Sequence, residues 1–351
     1  MAMFSEAPRD FTAADIPKPE IIDAKSVPSY RWGFIGAGDI AEVMAGTLAK
    51  HTNQRVVAVG SKTPGKAKAF AERFGIERHY DNYLDLANDP EVDIVYIATL
   101  PHTHLADARL AIRAGKHVLI EKPSTLTAKD TEALYSEAKA AGVLAMEAMW
   151  SRYLPQASII RQMLAKGTLG EITLLQADFG QDNREIARLW LKDSSIVMDM
   201  GIYPISFSQM VLGSPSRIIA GGKMHNENVE AMAAAILEYD SGARAVLTTS
   251  GHSHVPTTAS ISGDEGVLVL DGPFFVPTSL ELRPALFNSH GPRWSDESGV
   301  VGHEGLSHQA NYMAKFIHGG LLESPLHTHA EVVEGIRIGE EIRRQVGVTY
   351  P

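Results

Sequence analysis

The residues Gly36-Ala37-Gly38-Asp39-Ile40-Ala41 fit the pattern G-x-G-x-x-A. They follow an apolar run over 30–35 and open an alanine-rich run over 39–50. The first glycine allows a tight turn, the second lets a pyrophosphate approach the backbone, and the small third residue lets helix and strand pack closely. The helix N-terminus at Asp39 and Ile40 adds amide donors and a positive dipole. A bare glycine match is weak; a match between a strand and a helix is the context that dinucleotide binding requires.

The end of the next strand selects the dinucleotide. An NAD site usually places Asp or Glu there, on the ribose 2′-hydroxyl. Here the run is VVAVGSKTPGKAKAFA, with no acidic residue over 53–71. Ser61 stands at the expected position, Lys62 follows, and Lys66 lies one turn on. A hydroxyl and two cations suit a 2′-phosphate, so NADP is the expected cofactor, with NAD use remaining open. Further along, Lys122 follows the run HVLIE and precedes Pro123. Ligands bind at the C-terminal edge of a parallel sheet, and a lysine there can hydrogen-bond a hydroxyl or carbonyl and lower a neighbour's pKa.

Positioning these residues requires alternating strands and helices. The pattern predicts strands over 30–35, 55–60, 93–98, 117–121 and 143–147, with helices over 39–50, 66–74, 104–114 and 128–141. Such alternation implies right-handed crossovers and a parallel sheet covered on both faces. Past Trp150 the texture changes. After a helix over 156–166, strand-like runs dominate at 171–179, 217–223, 231–239, 243–250, 257–262 and 266–270, with a hairpin turn at 239–242. Helix returns over 308–318 and 330–346. The expected architecture is an α/β dinucleotide-binding domain over 30–148 and an α+β domain over 149–351 with an open, mostly antiparallel sheet. Residues 1–29 read as an extended arm, either loose or packed on a partner subunit.

The totals exclude several functions. With 42 acidic and 32 basic residues, the formal net charge is −10, which argues against a nucleic-acid surface. The absence of cysteine excludes disulfides, thiolate metal sites and cysteine nucleophiles, and fits a reducing cytoplasm. No stretch approaches the roughly 20 apolar residues of a membrane helix, and the N-terminus lacks the basic start and apolar core of a signal peptide. Three His-x-His pairs occur, His102/His104, His252/His254 and His327/His329, each without a third ligand at a telling spacing, so no metal is expected. Asn183-Arg184 and the GPRW stretch at 291–294 are weaker candidates for shaping a pocket.

The glycine turn, AGKHVLIEKP at 114–123 and a strand-rich second half together resemble the Gfo/Idh/MocA oxidoreductase family, over about residues 30–351. MEAMWSRYLP at 146–155, DMGIY at 199–203 and the terminal ESPLHTHAEVVEGIRIGEEIRRQVGVTYP resemble its dimeric dihydrodiol dehydrogenase and D-xylose dehydrogenase branch. The resemblance implies a Rossmann domain and hydride transfer between a nicotinamide and a secondary hydroxyl of a sugar, cyclic polyol or trans-dihydrodiol. It implies that Lys122 is catalytic and orients substrate, that Tyr203 is the general acid/base, and that Asp199 assists them. His104 is expected near the nicotinamide and, with Thr99 and Glu121, completes the cofactor contacts. Trp150 and Arg152 are expected to line the pocket mouth, and the sheet to pair subunits as a homodimer or higher oligomer.

The chemistry is coherent on its own terms. Oxidising a secondary alcohol needs a group to take the hydroxyl proton. Tyrosine ordinarily titrates at about 10, and a nearby ammonium favours the phenolate. Two other readings compete: a non-catalytic dinucleotide sensor, which would need neither Lys122 nor Tyr203, and an oxidoreductase that retains its cofactor through turnover.

Overall fold

The computed structural model describes residues 9–348, which divide into two compact units. One comprises Ile21–Tyr153 and Val300–Arg337; the other comprises the residues up to Glu20, Leu154–Gly299 and those from Ile338 onward.

The first unit is built on six parallel strands: β1 (Arg31–Ile35), β2 (Arg55–Gly60), β3 (Arg78–Tyr80), β4 (Ile94–Ile97), β5 (His117–Ile120) and β6 (Ala145–Glu147). Their spatial order is β3-β2-β1-β4-β5-β6, every pair parallel. Between them run α1 (Asp39–His51), α2 (Lys66–Phe74), α3 (Tyr83–Ala87), α4 (His104–Arg113) and α5 (Ala128–Ala140). Trp32, Phe34, Ile35, Ile94, Val95 and Ile97 are wholly buried, as strands covered on both faces must be. The strand order reverses between β1 and β4, and such reversals are where open α/β sheets bind ligands. β3 and α3 carry no periodic signal at three and five residues, and the sequence reading missed both.

The second unit carries α6 (Pro155–Ala165), β7 (Ile172–Gly180), α7 (Ile202–Leu212), β8 (Arg217–Met224), β9 (Glu230–Glu238), β10 (Arg244–Ser250), β11 (Ala259–Gly263), β12 (Gly266–Leu270), β13 (Ser279–Pro284) and β14 (Arg293–Ser295). The sheet order is β14-β13-β12-β11-β7-β10-β9-β8. Every pair is antiparallel except β7/β10. Burial alternates along β9 and β10, the mark of a sheet covered on one face. α7 packs against β7 and β10 on that face. On the other, Ile219 and its cross-strand partner Ile236 are exposed, as is Met232 four residues before Ile236 on β9.

The chain then returns to the first unit with α8 (Leu306–His318), which packs on α1, and with the first half of α9 (His329–Val346), whose Val332 joins the core of Leu134 and Tyr135. The domain boundaries therefore differ from the expected 148/149 division: Val300–Arg337 belongs with the nucleotide-type sheet. The described residues of the 1–29 segment are not a free arm. Phe11 is buried where a Cβ on Gly266 would meet its ring at 2.6 Å, and Ser158 and Gln162 bond the backbone of Glu20 and Lys18. Asn53 and Gln54 do the same for Val27 and Pro28.

Candidate active site

The glycine turn follows β1 directly. Gly36 has φ +106°, and a Cβ there would lie 2.5 Å from the Ala98 carbonyl oxygen, so no other residue fits. A Cβ on Gly38 would meet nothing within 4 Å, so the backbone faces open space at the N-terminus of α1. Ala41 is wholly buried where the helix meets the sheet. This cradle fits a dinucleotide pyrophosphate on the amides of Gly38, Asp39 and Ile40.

At the end of β2, Ser61 is buried and its hydroxyl accepts the Thr63 N–H at 3.2 Å. Lys62 lies over the Tyr83 ring, 4.4 Å from its centroid, with its Nζ 3.4 Å from Asp107 Oδ1. Asp107 Oδ2 accepts the Thr99 hydroxyl at 2.9 Å, which ties the lysine to the loop after β4. Lys62 remains 64% exposed along its side chain, and Lys66 stands exposed at the start of α2. One oriented cation, a second exposed one and a hydroxyl thus lie where an NAD enzyme would carry an acid.

Lys122 sits in a segment bonded on every side. Its own N–H donates to Glu121 Oε2 at 3.2 Å, and Tyr96 donates its hydroxyl to Glu121 Oε1 at 2.5 Å. Burial pushes the Glu121 carboxyl up to about 7. The His104 ring nitrogens lie 3.0 Å from the Pro123 carbonyl and 3.1 Å from that of Thr99, and burial holds this histidine below its ordinary value. His104 thus ties together two loops at the sheet's ligand edge. The Ser124 N–H donates to Glu147 and its hydroxyl bonds Tyr135.

Trp150 and Arg152 are both buried. The His303 ring stacks on Trp150 at 5.5 Å, and Arg152 Nη1 lies 3.2 Å from Glu331. Partial burial, then the Lys122 ammonium, hold His303 below its ordinary value. Glu304 beside it bonds Lys50 and His51 of α1 at 2.5 and 3.0 Å.

In the second unit, Asp199 and Tyr203 do not share one regular helix. Val197–Gly201 forms a π-helical turn, and α7 begins only at Ile202. Side chains cap the turn's first amides: Val197 N–H donates to Glu230 at 2.8 Å and Met198 N–H to Ser195 at 3.0 Å. Tyr203 is 5% exposed, its ring stacked on Phe275 at 4.4 Å and edge-on to Phe179 at 5.9 Å. This bed fixes the phenol ring within its own unit.

The histidine pairs diverge. His327 bonds Glu147, whereas His329 bonds the Ala145 carbonyl and stacks on Tyr135. His252 bonds His225. Among the described residues no group of three or more His, Cys, Asp or Glu could hold a metal, and no helix is long and apolar enough to cross a membrane. Arg184 pairs with Asp182, and Asn183 accepts the Trp190 indole N–H through its carbonyl. Sequence reasoning overlooked Asp107, Glu147, Glu230 and His303. For two of the acids a signal existed: Glu147 ends and Glu230 begins a strand at a position beside apolar residues.

These features define an NAD(P)-dependent oxidoreductase of Rossmann type. A model of the oxidoreductase family with an NAD-binding Rossmann fold matches residues 30–149, and one of the GFO/IDH/MocA C-terminal domain matches 158–269. The chain belongs to the Gfo/Idh/MocA oxidoreductase family. It is 33% identical to trans-1,2-dihydrobenzene-1,2-diol dehydrogenase of Mus musculus over 92% of this chain and 98% of that one, and 31% identical to the Homo sapiens protein of the same name over the same shares. Among solved structures it is similar to a levoglucosan dehydrogenase in complex with NADH and levoglucosan, with TM-score 0.81 and 20% identity over 91% of this chain and 97% of that one. It is also similar to a 3-ketoreductase of Actinomadura kijaniata in complex with NADP and TDP-benzene, with TM-score 0.80 and 25% identity over 92% and 100%.

Proposed function

We propose that this protein is an NADP-dependent dehydrogenase or reductase that interconverts a secondary hydroxyl and carbonyl on a sugar, cyclic polyol or trans-dihydrodiol. The observation that carries the cofactor choice is the end of β2, where Ser61, Lys62 and Lys66 replace the usual acid. The curated relatives named as dihydrodiol dehydrogenases, and the NADP complex of the 3-ketoreductase, support the same reading.

The nicotinamide, when bound, supplies hydride transfer; the chain's residues supply binding and proton transfer. Gly36, Gly38, Asp39 and Ile40 would receive the pyrophosphate, and Ser61, Lys62 and Lys66 the 2′-phosphate, while Thr99, His104 and Glu121 would hold the loops on the nicotinamide side. Tyr203 accepts the hydroxyl proton during oxidation and returns it during reduction. Lys122 would donate a hydrogen bond to the reacting oxygen, Asp199 would orient that oxygen, and Trp150 and Arg152 would contact the substrate. The exposed strip of Ile219, Ile236 and Met232 supports subunit pairing through the sheet, since an open apolar face needs cover. The lack of cysteine supports a cytoplasmic setting.

The test is nicotinamide absorbance with NADP and NAD in turn, against aldoses, inositols and trans-diols, with Tyr203→Phe beside the wild type. Turnover with NADP that Tyr203→Phe abolishes is the expected result. Dinucleotide binding without turnover on any substrate, in either direction, would overturn the proposal in favour of a sensor.

A further inference from the structure

The Glu230 side chain is wholly buried, yet it carries a carboxylate. It lies at the start of β9 and bonds both the segment ahead of Tyr203 and the last helix. Oε1 accepts the Ser195 hydroxyl and the Val197 N–H, the latter at 2.8 Å. Ser195 Oγ in turn accepts the Met198 N–H at 3.0 Å, and the Asp199 N–H donates to the Ser195 carbonyl at 2.9 Å. Oε2 is held by Arg343 of α9, whose Nε lies 3.2 Å away and whose side chain is 7% exposed. A few residues earlier on α9, Gly339 leaves just enough room for Met198: a Cβ there would lie 2.8 Å from the thioether sulfur.

A helix normally caps its first amides with a side chain from its own N-terminus. Here the cap comes from a strand 33 residues downstream and is held by an arginine from the end of the chain. A buried ion pair is weak evidence for stability, because desolvation offsets much of its attraction. What this one does is fix geometry. It sets where the π-helical turn begins, and with it the position of Asp199 and the start of the helix that carries Tyr203.

We infer that Glu230, Ser195 and Arg343 are positioning residues for the proposed proton transfer, by which α9 holds Asp199 and Tyr203 in their reactive placement. The inference rests on the reading of Tyr203 as acid/base given above. None of the three touches substrate in this account; they act through the turn.

The experiment measures kcat, KM for substrate, the pH profile of kcat/KM, the dissociation constant for NADP and the thermal midpoint in Ser195→Ala, Ser195→Thr, Glu230→Gln and Arg343→Lys, beside Tyr203→Phe. A misplaced reacting group costs up to about a hundredfold in rate. Ser195→Ala and Glu230→Gln should therefore lower kcat about tenfold to a hundredfold and displace the alkaline or acidic limb of the profile. NADP affinity should stay unchanged, and Ser195→Thr, which keeps the hydroxyl, should recover much of the rate. If Glu230→Gln fails to fold, the Ser195 pair decides the matter alone. Ser195→Ala with wild-type kcat and profile, beside an inactive Tyr203→Phe, would overturn the inference while leaving the proposed function intact. An active Tyr203→Phe would instead remove the proposed acid/base, and this inference with it.

Discussion

The Ser124 N–H donates to Oε1 of Glu147 at 2.9 Å, while Oε2 of the same carboxylate lies 3.0 Å from His327 Nε2. One buried acid from β6 thus joins the segment that follows Lys122 to a histidine 180 residues away. Removing one partner from a buried pair leaves the other's polar atoms uncompensated. Glu147→Ala should therefore destabilise the protein by about 3 kcal/mol, read as a lower urea midpoint. An unchanged midpoint would show that the link contributes nothing.

Burial and the neighbouring Arg152 hold His327 below its ordinary value of 6.5. The folded state therefore favours the neutral ring, and its contribution is fully present above that value and lost as pH falls below it. Acidification from neutral to about pH 5 should cost the wild type more stability than it costs His327→Gln. Equal acid sensitivity of the two would refute a neutral buried ring.

Glu121 acts in the opposite direction. Its carboxyl is raised by burial from 4.5 to about 7, so its protonated form is favoured in the folded state. That contribution is present below 4.5 and lost as pH rises through about 7. Glu121→Gln, which stays neutral, should gain on the wild type by up to about 3 kcal/mol between mildly acidic and mildly alkaline conditions. Chemical denaturation at the two pH values measures the difference; a gap that does not widen with pH would count against the raised value.

If Lys62 and Ser61 bind a 2′-phosphate, Ser61→Asp with Lys62→Ala should weaken NADP about tenfold to a hundredfold, the worth of one charge-assisted contact. NAD should hold or improve, because the new acid can bond a 2′-hydroxyl. Calorimetry with each dinucleotide decides; parallel losses for both would point to a damaged fold rather than altered selectivity. Freeing Asp107 from Lys62 should also loosen Thr99, its hydroxyl partner.

The parts legible in the sequence share a property: their partners are close along the chain. The glycine turn, the acid-free end of β2 and most helix boundaries follow from spacing and side-chain type within one βα unit. Short elements escaped. β3 and α3 are below one period, and β13 and β14 follow the last run that reads clearly as strand. The capping of the π-helical turn escaped because the acceptor, Glu230, lies in another element.

The sequence by itself determined the chemistry on offer: a glycine turn between strand and helix, cations in place of an acid at the end of β2, a lysine at a sheet edge and a tyrosine in a family motif. Local rules of backbone geometry and charge suffice for these. The tertiary structure alone decided who braces whom: Glu147 for Ser124, His104 for Pro123, Phe275 for Tyr203, and Arg343 for the carboxylate that caps the turn at Asp199. It also decided that residues 300–337 return to the first unit. Such contacts join positions up to 180 residues apart. Nothing in local spacing encodes them; they form where burial of the surrounding apolar surface outweighs the entropy of closing the loop.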